Sequence, residues 1–127
     1  MKGLDMKYSV YQIQFSAEQY DAINNGVSVP AFDAKCAMDL EFAGNRIGGV
    51  ASEAFDAGYY THVANIEADD FDDCFEVGNI GPDDQIERLG KMHSLSVGDV
   101  LVDEEGTVAA IAPIGFVAFS HNPNLSV

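Results

Sequence analysis

The sequence is short of positive charge. Six Lys and Arg stand against 21 Asp and Glu, a formal net charge of −15 over 127 residues. Binding nucleic acid through its phosphates needs a basic footprint, so that class is excluded. Anionic membrane surfaces should repel the chain as well. Tryptophan is absent, and the two cysteines, Cys36 and Cys74, lie 38 positions apart with no Cys-x-x-Cys pattern. That spacing excludes a clustered-thiol zinc site and a disulfide-dense scaffold. Both thiols sit among apolar neighbours and are expected reduced in the core, with a single disulfide as the alternative. No apolar run reaches the length of a membrane span, and no basic-then-apolar leader opens the sequence. The expectation is a cytoplasmic protein without membrane contact.

What is present suffices for an interior. Hydrophobic residues make up 47% of the chain, with eight Phe and five Tyr. A chain of this size folds to a surface of about 6,600 Å², or roughly one net negative charge per 440 Å². No repeat or linker divides it. Residues 7–120 are expected to form a single compact α+β domain with short helices packed on a mainly antiparallel sheet. Residues 1–6 are expected to be a frayed start and 121–127 a tail.

Local patterns assign the elements. Residues 8–14 alternate and are rich in β-branched and aromatic side chains, a strand. Ser16 with Gln19 forms a capping box, Phe15 and Tyr20 stand at staple positions, and Gly26 stops a helix over 17–25. Ala34, Cys36, Met38, Leu40 and Phe42 alternate with Lys35, Ala37, Asp39 and Glu41. That period of two predicts a strand over 34–42, ended by a turn at Gly44-Asn45. Ile47, Val50, Ala51, Ala54 and Phe55 follow helical spacing up to Gly58 and should face that strand in the core. Residues 59–66 return to strand character. Phe71, Cys74 and Phe75 fit one face of a short helix capped by Asp69 or Asp70. A second short helix is expected from Pro82, closed by Gly90. Residues 99–103, 107–113 and 116–119 read as strands, with Glu105-Gly106 turning a hairpin.

The charge is lopsided. Residues 1–64 carry a net −4 and residues 65–127 a net −11, and nine acids without one Lys or Arg stand between Glu67 and Glu87.

The segment Met92-His-Ser-Leu-Ser-Val-Gly-Asp-Val100, followed by a hairpin and Gly115-Phe116, resembles the signature of YodL/KfrB-type domains, small domains of phages, plasmids and other mobile elements. Asp69 to Phe75, Asn79 and the opening Tyr8-Ser-Val-Tyr-Gln-Ile13 stand in the matching order. The resemblance implies accessory proteins, many of which act on host defence or DNA maintenance, and brings no catalytic residues with it. Read physically, the same residues form a corner. Ser94 or Ser96 satisfies backbone groups, Asp99 accepts N–H bonds at a strand start, and Gly98 and Gly115 permit unusual backbone angles.

Chemistry-bearing patterns are sparse. His62, His93 and His121 are scattered, and pairing Cys74 with His93 as nucleophile and base lacks a third orienting group. His93, beside the serine turn, is the best functional candidate of the three. Counting from Asp70, the EF-hand template fails at its glycine and at its twelfth position, which is Gly81. Gly78-Asn-Ile-Gly81 lacks the Lys-Ser/Thr of a phosphate loop. No catalytic residue, cofactor or metal is therefore expected. Several acids have structural duties: Asp69 or Asp70 as a cap, Asp83 and Asp84 at a helix start, Asp99 at the turn. Asp72, Asp73, Glu76, Glu87, Glu104 and Glu105 have weaker ones and form the expected partner-binding set. Helical carboxylates three or four residues apart lie about 5–6 Å from each other, close to the spacing of strand phosphates. The expected function is that of a non-enzymatic acidic accessory protein, of anti-defence type, that inhibits a basic nucleic-acid-binding host protein by DNA-like charge mimicry. The alternative is a general interaction module without mimicry; a small enzyme or metal-binding protein ranks below both.

Overall fold

A computed structural model describes residues 6–40 and 46–119. The elements run β1 (Met6–Ile13), α1 (Ala17–Asn24), α2 (Pro30–Asp39), α3 (Ile47–Asp56), β2 (Tyr60–Ala68), α4 (Phe71–Asn79), a 3-10 turn (Asp83–Gln85), β3 (Ile86–Arg88), β4 (Val100–Val102), β5 (Val108–Ile111) and β6 (Phe116–Phe119). The fold is α+β, with one six-stranded sheet in the order β3-β2-β1-β4-β5-β6. Every neighbouring pair in it is antiparallel.

Alternation along β1 divides the interior. Tyr8 and Val10 face one core with Ile66, Leu101 and Ile111, closed by Cys74 and Val77 of α4 and by Leu95. Ile13 faces a second core with Val100, Val108 and Ala110, closed by Met38 of α2 and Ile47, Ala51 and Ala54 of α3. Because successive strand side chains point to opposite faces, a single apolar strand serves both layers.

The helix starts follow local chemistry. Ser16 and Gln19 make the reciprocal capping box, and Phe15 meets Tyr20 edge to face at 5.6 Å. Asp70 caps α4 by accepting the Asp73 N–H at 2.8 Å, while the Asp73 carboxylate accepts the Asp69 N–H at 3.0 Å. Gly26 and Gly58, with φ of 78° and 81°, follow the ends of α1 and α3.

Two expectations are corrected. Residues 34–39 are not strand but belong to the helix α2, and Leu40 ends it, 69% exposed; residues 41–45, including the expected turn at 44–45, lie outside the described residues. The segment holds no β-branched residue after Val29, has three Ala with Lys35 and Met38, and starts with Pro at its first helical position. Ala31, Ala34 and Met38 share the buried helical stripe, so the alternation was a coincidence of small residues. Cys36 is accordingly only half-buried, although Met38 does meet the α3 face as expected. The second short helix is also reduced to one 3-10 turn capped by Pro82, after which β3 adds to the sheet edge beside β2.

Two helical glycines give opposite predictions. Gly49 on α3 has open space where a Cβ would stand, whereas a Cβ on Gly78 would come within 2.6 Å of Leu95 Cδ1 and 3.2 Å of Ile66 Cδ1. Gly49→Ala should stabilise by about 0.5–1 kcal/mol through helix propensity. Gly78→Ala gains the same propensity but overpacks the core, and should be net destabilising by about 1–2 kcal/mol. Urea midpoints of the two variants should move in opposite directions from the parent.

Candidate functional site

Two regions gather polar side chains, at opposite ends of the strands. β1 begins at Met6 opposite Ala68 and finishes at Ile13 opposite Tyr60, a span of about 24 Å.

The Met6 end is acidic. Ala68 leads into Asp69 and Asp70, and Val102, opposite Ser9, leads into the Asp103–Gly106 tip of the β4–β5 hairpin. Gln85 Nε2 donates to the Glu67 carbonyl at 2.7 Å, which brings the Asp83–Gln85 turn to the same end. The buried Tyr8 hydroxyl registers the convergence. Its pKa is pushed up to about 12, first by burial and then by Asp103, Cys74, Asp70 and Asp69. Of the expected binding residues, Glu104 and Glu105 sit exposed on the hairpin tip, and Asp72 and Glu76 are exposed on α4. Asp73 departs from expectation: its carboxylate carries a capping bond and is therefore structural. Glu87 stands apart on the edge strand β3, accepts from Asn65 Nδ2 at 3.0 Å, and shares a hollow with Lys7, Glu67 and Asp84. Among the described residues, no group of three His, Cys, Asp or Glu could hold a metal ion.

The Ile13 end is built around the serine turn. Asp99, 2% exposed, accepts at one oxygen from the Ser96 N–H at 3.0 Å and from Gln12 Nε2 at 3.1 Å. Gln12, fully buried, also donates from Nε2 to the His93 carbonyl at 2.8 Å and accepts the His93 N–H at 3.1 Å. Tyr60 donates to the Gly98 carbonyl at 2.6 Å, and Gly98 has a φ of 90° with Met38 packed where a Cβ would be. The corner reading of Asp99 and Gly98 therefore holds. Gln12 is what sequence reasoning missed; a polar residue continuing the otherwise apolar row of Tyr8 and Val10 was the available signal.

The histidine and cysteine readings resolve differently. His62 stacks on Tyr11 at 4.8 Å with its Nε2 2.8 Å from Asn65 Oδ1, a packed side chain. His93 is exposed, its Nδ1 2.9 Å from the Ser94 carbonyl. His121 lies outside the described residues. Cys74 is closed in the core and its thiol is pushed up to about 12 by burial and then by Asp73, so it stays protonated and is a poor nucleophile.

Burial pushes the Asp99 carboxyl up to about 6, against the opposing pull of the Ser96 N–H, His93, Lys35 and the Gln12 amide. The folded chain thus holds this proton more tightly than the unfolded chain does. The associated stability is complete below about pH 4 and is lost as pH rises through about 6, an effect on the order of 3 kcal/mol. Asp99→Asn mimics the protonated acid and keeps an oxygen for both donors. The variant should be as stable as the parent near pH 4 and more stable at pH 7.5, as read from urea unfolding at both pH values. An unchanged parent-to-variant difference across that range would sink the linkage.

No family model, curated protein or solved structure matches this chain.

Proposed function

We propose that the protein is a non-enzymatic acidic binding domain that presents its carboxylate-rich end to a basic, nucleic-acid-binding protein and competes there with nucleic acid. The observation that carries this reading is convergence. Asp69 and Asp70 of the β2–α4 junction and Asp103 of the β4–β5 hairpin act on Tyr8 at one end of the sheet, and the 3-10 turn is tied to that end through Gln85 and the Glu67 carbonyl. Exposed carboxylates drawn from separate segments raise the local negative potential beyond what any one run supplies, and such a field steers a basic groove from a distance. The partner-facing acids are Asp72, Glu76, Glu104 and Glu105, with Glu87 flanking them. Asp73 belongs to the cap. The resemblance of the Ser94 to Val100 segment to YodL/KfrB-type domains supports a mobile-element setting and an anti-defence role. No described helix is long and apolar enough to cross a membrane.

A second reading rests on Ile114, 94% exposed at the turn before the edge strand β6. An apolar tip beside a strand that is the sheet's edge among the described residues suits a plain interaction module whose binding ignores charge.

Asp72→Asn, Glu76→Gln, Glu104→Gln and Glu105→Gln combined remove four charges and leave the caps intact. Thermal stability should be unchanged or slightly raised, because mutual repulsion falls. Pulldown at low and high salt, with duplex DNA as competitor, identifies the partner; surface association kinetics then compare parent and variant. The expected result is a partner displaced by DNA and an on-rate that drops about tenfold in the variant. A partner indifferent to salt, DNA and the four substitutions would transfer the function to the Ile114 tip.

A further inference from the structure

A cavity lies at the opposite end from the acids. It has a volume of about 590 Å³ and is lined by Ile13, Gln14, Phe15, Tyr20, Lys35, Lys91, Met92, His93 and Ser96. That size falls within the range of small-molecule sites. Its chemistry runs against the composition of the chain. Of only six Lys and Arg two stand in this wall, together with an exposed histidine, and none of the 21 acids does. Phe15 and Tyr20, edge to face at 5.6 Å, supply an aromatic side, and Tyr20 is 54% exposed.

The wall is also held in advance. Gln14 Nε2 donates to the Lys91 carbonyl at 2.6 Å, and Gln12 clamps both backbone groups of His93. Gln12 of β1 and Gln14 just past its end thereby fix the backbone from which Lys91 and His93 project. Lys35 comes from the separate helix α2, where it lies 3.7 Å from Asp39, a loose i,i+4 pair that a better-placed anion can displace.

We propose that this cleft binds a small organic anion, its phosphate or carboxylate head facing Lys35, Lys91, His93 and Ser96 and its flat apolar body lying against Phe15 and Tyr20. Lysines act as mobile point charges for such heads, and the aromatic wall takes a planar ring by stacking. The proposal is independent of the acidic-end reading, since the two surfaces share no residue.

The test is an NMR titration of the full chain at fixed ionic strength with phenyl phosphate, benzoate, benzyl alcohol and inorganic phosphate. Either aromatic anion should give saturable shifts at the Gln14, Lys91, His93 and Ser96 amides. Benzyl alcohol, which has the ring without the charge, should bind at least about tenfold more weakly, as should the anions to the Lys35→Gln, Lys91→Gln double variant. The stronger of the two anions identifies the head group. Equal binding of benzyl alcohol would reduce the cleft to an apolar crevice. Inorganic phosphate binding as well as phenyl phosphate, with shifts spread to Lys7 and Arg88, would mean diffuse ion attraction. Silence at the four amides with all probes would also overturn the proposal.

Discussion

A buried glutamine amide ties the chain's first strand to its last third. Gln12 spends both N–H groups and its carbonyl on His93 and Asp99, which lie 81 and 87 residues further along. In water this amide would cost nothing to leave free, but sealed between strand and crossover it must be satisfied or forfeit about 1–3 kcal/mol per orphaned group. The geometry that satisfies it is demanding. The irregular 91–99 segment must run beside β1 where that strand passes beyond its pairing with β4, and Asp99 must end the segment at the start of β4. From there the rest follows. Leu95 is carried onto α4, Gly98 is pressed on Met38 of α2, and the two cores are locked to one strand.

The same constraint sets a tension in the electrostatics. Asp99 is needed as an acceptor for two donors, yet burial of its charge beside Tyr60 opposes ionisation. His93 and Lys35 relieve part of that cost and therefore have a reason to stay at this end. At the other end, among the described residues, the bases near the carboxylates are Lys7, across from Glu67 in the β1–β2 register, and Arg88, which engages Asp83 at 2.8 Å. Some repulsion is recovered at the start of α4, where Asp70, Asp72 and Asp73 meet the positive end of the helix dipole. The remainder is a standing cost of the exposed hairpin tip and of the α4 flank.

Much of this was legible because local rules and global fold agree. The Ser16–Gln19 box, the Asp70 cap, the glycine stops and the hairpin at 105–106 each rest on neighbours within a few positions, and each appears where the residues place it. The failure at 34–39 has the same local origin. Alanine counts as apolar in an alternating pattern yet favours a helix, and propensity, together with Pro30, decided a stretch that periodicity misread. The acidic set was readable as composition, but its convergence depended on strand register, which pairs Ser9 with Val102 and Met6 with Ala68. Asp73 was misjudged because a reciprocal cap to Asp69 looks, in sequence, like one more charge in a run. The cleft was invisible for a stronger reason: its wall comes from β1, α1, α2 and the 91–96 segment, and no window of sequence contains them together.

The two ends of the sheet finally explain each other. A chain with six bases and 21 acids cannot form a cationic surface by chance placement alone; it must keep acids out of one wall, beside which Asp99 is buried and Asp39 is paired with Lys35. Here the exclusion is structural. The backbone at 91–93 is pinned by Gln12 and Gln14 and closes the Ile13 end, so the acid-rich connections at 69–73 and 103–105 are forced to the Met6 end by strand direction. Antiparallel pairing turns every connection at one end or the other, and the acidic ones fall on the same side. Since the strands separate these ends by about 24 Å, more than two Debye lengths at physiological salt, the field of the acidic end scarcely reaches the cleft. A domain so strongly negative can therefore keep a local binding site for an anion, because screening lets the two ends act as separate surfaces.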